Sequence, residues 1–323
     1  LDPTAFAPAP APILTYRFLH DRVQQAAYSM IPEAQKKSTH LRIGQLLLQN
    51  SPAIQDEERL FEIINHLNIG RSLITDSEER ANLSRLNLMA GCKAKASIAY
   101  AAAVEYLKTG IDLLPSNGWE CCYDLTLALH QEITEAVYLN TNYDQVEPWA
   151  TLVLQQAKTL LDTIKVHEIK LLTAKSQGQH LAALGIGLRV LQSLGIEFPD
   201  QPTPADIQNT FWTTRKLWEK RHPLDLLDLP PMSDPGCLAA IRIMTHLIPA
   251  SYIAAPAFMP LLICKQVELS IQFGNCPIAT FSYADYGLML CGMMDDIEAG
   301  YSFGQLALRV MERFEATLCK CRA

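Results

Sequence analysis

Apolar positions recur at helical spacing along most of the chain. One apolar face contains Leu60, Phe61, Ile64 and Leu67. Its period indicates a helix that ends near Gly70. From Thr75 onward, stripes of Leu and Ile and Ala-rich faces alternate with short polar turns, and Thr75 with Glu78 has the spacing of a capping box. We therefore predict helices over most of 75–198, then over 204–221 and 238–314.

The N-terminal region has a different pattern. Residues 1–12 are rich in Ala and Pro and predict an extended linker. The β-branched and aromatic residues of 13–18, ILTYRF, predict one short strand. Residues 20–30 predict a helix with Val23, Ala27 and Met30 on one face, and Pro32 is suited to begin the next helix. Because the first residue is Leu1, we interpret the chain as a piece of a longer protein or a processed product.

Two stretches fit the tetratricopeptide pattern, in which small residues let paired helices approach closely. The first has Gly91, Ala94, Ala103, Leu107, Gly110 and Pro115 at the expected spacing. The second has Gly287, Leu290, Ala299, Phe303 and Leu306. Weaker matches surround Tyr143 and His180, and the spacing between units is irregular. We therefore predict an all-α fold, a right-handed α-solenoid of degenerate helical hairpins in preference to a bundle, with Ala103 and Ala299 buried where helices cross.

These patterns divide the chain into five segments. They are a linker (1–12), a strand with connecting helices (13–74), repeats (75–198), a helix with a Pro-rich connector (199–235) and further, truncated repeats (236–323). Within the last segment, residues 243–264 carry no Asp, Glu, Lys or Arg and are long enough to cross a bilayer. The prolines Pro249, Pro256 and Pro260 instead predict two buried helices, one ending near Ser251 and one starting near Pro256.

Charge and cysteine content narrow the class of protein. The formal net charge is −7 and the isoelectric point is about 5.6, which argues against a nucleic-acid partner. Nine cysteines, an odd number without a CxxC pair, indicate reduced thiols that serve as small apolar side chains. The N-terminus also lacks the basic and apolar regions of a signal peptide. We therefore predict a cytoplasmic protein without a membrane span.

The sequence contains no recognised catalytic motif. It lacks a GxxxxGK[ST] phosphate loop, a GxGxxG turn and the kinase HRD and DFG motifs. Asp295, Asp296 and Glu298 form an acidic group that could bind magnesium, as in helical prenyl-transferring enzymes, although a position before a helix favours interaction with the helix dipole. One amphipathic stretch carries Phe211, Trp212 and Trp218. We interpret these aromatics as core residues, with a partner anchor as the alternative.

The segment 16–48, YRFLHDRVQQAAYSMIPEAQKKSTHLRIGQLLL, resembles a region of large multi-sensor signalling kinases of the cyanobacterial type. Its most specific string, HDRVQQAAY, supplies the motif positions His20, Asp21, Arg22, Gln25 and Tyr28. The resemblance continues through 86–114, 123–139, 154–162 and 282–314 and so covers nearly the whole chain. In that family a serine/threonine kinase domain, a STAND-type AAA ATPase module, a helical repeat region, a GAF domain and a histidine kinase core follow in order.

The resemblance implies a regulatory segment without catalysis of its own. Residues 13–50 would close the winged-helix end of the ATPase module, and the remainder would be the solenoid. ATP and magnesium would be used only by other domains of the parent protein, so no catalytic, cofactor or metal residue is expected here. The implied partners are the neighbouring ATPase and kinase domains and an unknown protein or small-molecule effector. The alternative is a solenoid sensor of a STAND-type transcription regulator, and a magnesium-dependent helical enzyme is a third possibility.

Overall fold

Amphipathic periodicity produces helices throughout the computed structural model, which describes residues 21–50 and 57–315. The helices are α1 (Asp21–Ser29), α2 (Glu33–Gln49), α3 (Glu57–Gly70), α4 (Ser77–Ala96), α5 (Tyr100–Asp112), α6 (Gly118–Cys121), α7 (Tyr123–Leu139), α8 (Val146–Gln156), α9 (Leu160–Ser176), α10 (His180–Ser193), α11 (Pro204–Trp218), α12 (Pro235–Ala254), α13 (Phe258–Phe273), α14 (Ala279–Met293) and α15 (Ile297–Arg313). Short 3-10 segments lie at Arg71–Leu73, Tyr143–Gln145 and Pro223–Asp228. Across these described ranges no strand forms, and one isolated parallel bridge joins Pro231 to Asn275. The all-α prediction is confirmed for this part of the chain.

Two details near the N-terminus differ from the predictions or fall outside them. The predicted capping box at Thr75 is wrong, because α4 begins at Ser77 and the Glu79 N–H donates to Asp76 Oδ1 at 2.8 Å. Asp76 is the better cap since its side chain directly precedes the first turn. The predicted strand 13–18 and the linker 1–12 lie outside the described residues, so the winged-helix remnant stays a prediction.

The chain divides into two compact units, Leu1–Leu83 and Ser84–Ala323. In the first unit, α2 packs closely on α3 at glycine positions. A Cβ added to Gly44 would lie 2.8 Å from Leu67 Cγ, and one added to Gly70 would lie 2.7 Å from Leu41 Cβ. The predicted apolar face of α3 is confirmed at Leu60, Ile64 and Leu67, which are buried, whereas Phe61 is only partly buried. The predicted face of α1 is solvent-exposed, with Met30 83% exposed.

In the second unit, helices pack mainly on their neighbours in the chain. Helix α5 contacts α7, α7 contacts α8, α9 contacts α10, and α14 forms an extensive interface with α15. Contacts also join helices that are two or three apart in the series, α7 to α9, α9 to α12 and, more weakly, α12 to α14. Helix α11 packs against α13, and the 3-10 segment Pro223–Asp228 packs against α15. The packing is therefore mostly between segments that are close in sequence.

The first predicted repeat places its small residues at a helix crossing. Gly91 of α4 faces α5, where an added Cβ would lie 2.5 Å from Leu107 Cγ. Gly110 of α5 faces α7, where an added Cβ would lie 2.7 Å from Leu129 Cδ2. Ala94 and Ala103 are buried, and Pro115 is exposed after α5 ends. The expected burial of Ala103 is therefore observed.

The second predicted repeat has its crossing one residue away from the predicted position. Leu290, Phe303 and Leu306 are buried, but Ala299 is only partly buried, so the prediction for Ala299 is wrong. Gly300 makes the contact instead. A Cβ on Gly300 would lie 2.7 Å from the Gly287 carbonyl oxygen and 2.3 Å from Cys291 Sγ. One residue rotates a side chain by about 100° around a helix, which is why the neighbour and not Ala299 faces α14.

The uncharged stretch 243–264 forms parts of two helices, as predicted. Helix α12 ends at Ala254 and α13 begins at Phe258. Pro260, and not Pro256, occupies the first turn of α13, where the missing N–H has no intrahelical acceptor to satisfy. Among the described residues, α12 is long and apolar enough to cross a membrane by length and composition, and 44% of its apolar stretch is buried inside the protein. Its side chains Ile241, Met244 and Leu247 belong to the main core.

Candidate functional site

An aromatic pocket lies between α11 and the end of α14. It has a volume of about 220 Å³. Its lining residues are Phe211, Trp212, Arg215, Glu219, Tyr286, Leu290 and Met294. Aromatic and aliphatic walls with a few charged groups at the rim are typical of small-molecule sites. We call this cavity the aromatic pocket.

Helix α11 is strongly defined by its own sequence, and this fixes one wall of the pocket. Thr203 and Asp206 form a reciprocal capping box, and Pro204 is the first helical residue. Phe211 and Trp218 lie on the buried face of α11, as predicted. The interpretation of Trp212 as a core residue is wrong, because Trp212 is 60% exposed. One helical step from Phe211 moves the Trp212 side chain from the core to the pocket rim.

The inner wall of the pocket is a rigid aromatic group. The rings of Phe211 and Tyr286 stack with centroids 6.1 Å apart, and Phe303 meets Tyr286 edge-on at 4.9 Å. Trp218 Nε1 donates a hydrogen bond to the Tyr286 hydroxyl at 3.2 Å. Burial raises the pKa of Tyr286 far above its ordinary value, so the phenol stays neutral. These packed rings cannot move independently, which makes the wall a preformed surface.

The rim of the pocket carries charges of both signs. Arg215 Nη1 lies 2.9 Å from Asp296 Oδ2, and its guanidinium carbon lies 5.5 Å from the Trp218 ring centroid. Asp296 Oδ1 also accepts a hydrogen bond from the Ala299 N–H at 3.1 Å and so caps α15. Glu219 lines the same rim and is exposed. Arg215 and Asp296 neutralise one another. The negative charge of Glu219 is therefore the net charge of these three groups.

One member of the acidic group identified in the sequence, Asp296, reaches this rim through its ion pair with Arg215. Asp295, Asp296 and Glu298 lie at the turn from α14 to α15, beside the helix N-terminus where a dipole interaction was favoured, and Asp296 also caps that helix. Among the described residues there is no group of three or more His, Cys, Asp or Glu side chains placed to hold a metal ion. Sequence reasoning had not connected these acids with the aromatics of α11.

A second polar feature is a network of charges that joins α4, α7 and α9. Lys95 Nζ lies 2.5 Å from both Glu132 Oε2 and Glu135 Oε2. Lys165 pairs with the same two carboxylates, at 2.9 Å from Glu135 Oε2. Burial alone would raise the pKa of Glu132, but the hydrogen bonds from Lys165 and Lys95 outweigh it and lower that pKa. The pKa of Glu135 is lowered for the same reasons.

A separate ion pair beside this network joins α9 to α12. Arg242 Nε lies 2.9 Å from Glu168 Oε1. Burial raises the pKa of Glu168 in spite of this ion pair. Cys92, beside Glu132, has its pKa raised to about 11 by burial and by that carboxylate, so its thiol is neutral and unreactive near pH 7. The sequence pattern did not identify these charged residues as a group, because their partners lie on different helices.

The motif positions of the first unit fall on or before α1. His20 and the side chain of Asp21 lie outside the described part of the structure. Arg22 and Gln25 are exposed. Tyr28 makes a defined contact, since its hydroxyl lies 3.1 Å from His40 Nε2. His40 Nδ1 in turn lies 2.7 Å from His66 Nδ1, and burial with the nearby His40 lowers the pKa of His66.

Comparison with known proteins gives one informative match. The chain is 26% identical over 354 aligned positions to the Hybrid signal transduction histidine kinase G of Dictyostelium discoideum. The alignment covers 94% of this chain and 10% of that kinase, so the chain spans about a tenth of the relative's length. No protein-family model and no solved structure matches the chain.

Proposed function

We propose that this chain is a non-catalytic regulatory segment of a multidomain signal-transduction kinase. The observation that carries the proposal is the alignment of 94% of the chain with a tenth of a hybrid histidine kinase. The cyanobacterial-type family resemblance in residues 16–48 points to the same class of protein. In this proposal the segment couples a STAND-type AAA ATPase switch to kinase output in the cytoplasm, and only the neighbouring domains use ATP and magnesium.

We propose further that the second unit is a tetratricopeptide-like solenoid of right-handed hairpins. Support comes from the contacts between successive helices and between helices two or three apart, α7 with α9 and α9 with α12. Such contacts are those expected when each hairpin stacks on the next. Small residues at two crossings, Gly91 with Leu107 and Gly287 with Gly300, also fit this architecture. A stack of this type can bend, which suits it to transmit a change between domains.

Two measurements test the absence of catalysis and the context of the segment. Calorimetric titration of the chain with ATP and magnesium is expected to give no heat of binding at micromolar concentrations, because no phosphate loop exists in the sequence. Micromolar affinity would contradict the proposal.

The flanking reading frame is expected to encode an ATPase module before the segment and a histidine kinase core after it. A DNA-binding helix-turn-helix in place of the kinase core would favour a transcription regulator.

The coupling role is tested in the full-length kinase with a matched pair of variants. Ala103 is fully buried between helices, whereas Ala102 on the same helix is exposed. Ala103→Leu is expected to change the rate of autophosphorylation without changing ATP affinity, and Ala102→Leu is expected to change neither. Equal autophosphorylation in both variants and the unchanged protein would contradict a coupling role for this part of the stack.

A further inference from the structure

We propose that the aromatic pocket binds a small aromatic cation, an arylalkylammonium, with its ring against Trp212 and its ammonium beside Glu219. This site goes beyond the proposed regulatory role and does not depend on it, because binding is measured on the chain itself. Three properties of the pocket carry the inference: its size, its aromatic walls and the charge that remains at its rim.

The size of the pocket suits one aromatic ring with a short substituent. Its volume is about 220 Å³, whereas an apolar cavity of about 150 Å³ is enough to hold benzene. The walls are Phe211, Tyr286 and Leu290, which are buried and held in place by the core. Met294 also lines the pocket and adds a flexible thioether that adapts to an aromatic ligand. A ligand without an apolar part would leave these walls in contact with water.

Trp212 exposes a large apolar ring to solvent at the edge of the pocket. Its indole is 60% exposed although it lines a cavity whose other wall is apolar. A ring bound against it would remove apolar surface from water on both partners. Lys216 Nζ already lies 6.0 Å from the Trp212 ring centroid, so this ring lies within cation–π distance of an ammonium. The pocket therefore offers an aromatic surface that suits both a ring and a positive charge.

The charges at the rim favour a ligand with a positive charge. Arg215 is engaged by Asp296 at 2.9 Å, so an incoming anion would have to displace an existing carboxylate. Glu219 lines the same rim, and no cationic side chain of the described residues lies within ion-pair distance of it. A ligand ammonium can therefore pair with Glu219 without breaking a contact of the protein. The opposing influence is Lys216, whose ammonium would repel the ligand weakly across solvent.

The test uses three probes of similar shape and different charge: phenethylamine, 2-phenylethanol and phenylacetate. Affinity is measured by calorimetry, with the change in tryptophan fluorescence as a second signal. Phenethylamine is expected to bind about two- to fivefold more tightly than 2-phenylethanol, the ratio that an exposed ion pair provides. Phenylacetate is expected to bind least. Equal or tighter binding of phenylacetate would overturn the proposal, as would the absence of binding of all three probes at millimolar concentration.

Three variants test the ring contact with Trp212 and the ion pair with Glu219. Trp212→Ala changes an exposed position and leaves the core intact. It is expected to weaken the binding of phenethylamine at least tenfold. Glu219→Gln is expected to abolish the preference for phenethylamine over 2-phenylethanol while 2-phenylethanol binds as before. Lys216→Gln is the matched control and is expected to leave binding unchanged or strengthen it. A Trp212→Ala protein that binds as tightly as the unchanged protein would show that the probe occupies another place.

Discussion

The close approach of α14 and α15 at Gly287 gives a stability prediction with an internal control. A Cβ on Gly287 would lie 2.7 Å from the Gly300 carbonyl oxygen and 3.2 Å from Phe303 Cβ. Both atoms are fixed by the backbone of α15, so Gly287→Ala can be accommodated only if the helices separate. On the same hairpin, a Cβ on Gly304 would have no neighbour within 4 Å. Gly304→Ala therefore changes the helix propensity without the clash.

The expected magnitudes follow from two opposing effects. Replacing Gly by Ala inside a helix stabilises by about 0.5–1 kcal/mol, and both variants share this gain. Overpacking of a close contact costs about 1–3 kcal/mol, and only Gly287→Ala incurs it. Gly304→Ala should therefore be up to about 1 kcal/mol more stable than the unchanged protein. Gly287→Ala should be about 1–3 kcal/mol less stable than Gly304→Ala.

Urea unfolding followed by tryptophan fluorescence measures this difference. All four tryptophans, Trp119, Trp149, Trp212 and Trp218, lie in the second unit, which contains the hairpin. The signal therefore reports the unfolding of this unit, and a shift of the midpoint at constant slope gives the change in free energy. Equal shifts of the midpoint for Gly287→Ala and Gly304→Ala would refute the close contact between α14 and α15.

Three further predictions use the same unfolding assay. Ala103→Leu should cost about 1–3 kcal/mol by overpacking the contact of α5, whereas Ala102→Leu at an exposed position should change little, and equal effects would contradict the repeat register. Because the lysines lower the pKa of Glu132, its stabilisation is present above the ordinary glutamate pKa of about 4.3 and is lost as pH falls through the folded-state value. Glu132→Gln should therefore cost about 1–3 kcal/mol at pH 7 and much less at pH 3, and a pH-independent cost would exclude the ion pairs as the cause. Asp296→Asn keeps a good helix cap and should cost less than Asp296→Ala, which also loses about 1 kcal/mol of capping, while equal costs would mean that the cap contributes nothing.

Features that depend on local sequence could be predicted well. The period of apolar side chains located α3 and the helices after Thr75, because burial of one face is the main driving force for an amphipathic helix. The break between α12 and α13 could be predicted from Pro256 and Pro260, since proline is tolerated best before a helix or in its first turn, whereas Pro249 lies inside α12 without ending it. The cap of α4 was assigned to Thr75 because Glu78 follows it at the spacing of a capping box. The geometry of the first turn selects Asp76.

The repeat register was predictable only where the spacing of the family pattern matches the local geometry. At α5 the pattern correctly placed Ala103 in a buried contact. At α15 it selected Ala299, whereas Gly300 is the residue that faces α14. Both residues are small, so composition cannot distinguish them, and a turn one residue longer or shorter rotates the whole helix by about 100°. A degenerate repeat therefore identifies the crossing helices more reliably than it identifies the contacting residue.

The aromatic pocket could not be predicted because its walls are set by which helices meet, and not by any one helix. On α11 alone, Phe211 and Trp212 are equally apolar, and only the orientation of the helix against α13 decides which of them is buried. In the sequence, Asp296 likewise looks like an ordinary helix cap. Only the packing of the helices places Arg215 Nη1 at 2.9 Å from Asp296 Oδ2, the carboxylate oxygen that does not cap the helix. The pocket therefore depends on the packing of α11 beside the α14–α15 hairpin. A bound ligand that contacts both Trp212 and Met294 would stabilise that packing, and differential stabilisation of one arrangement of helices is what a regulatory ligand requires.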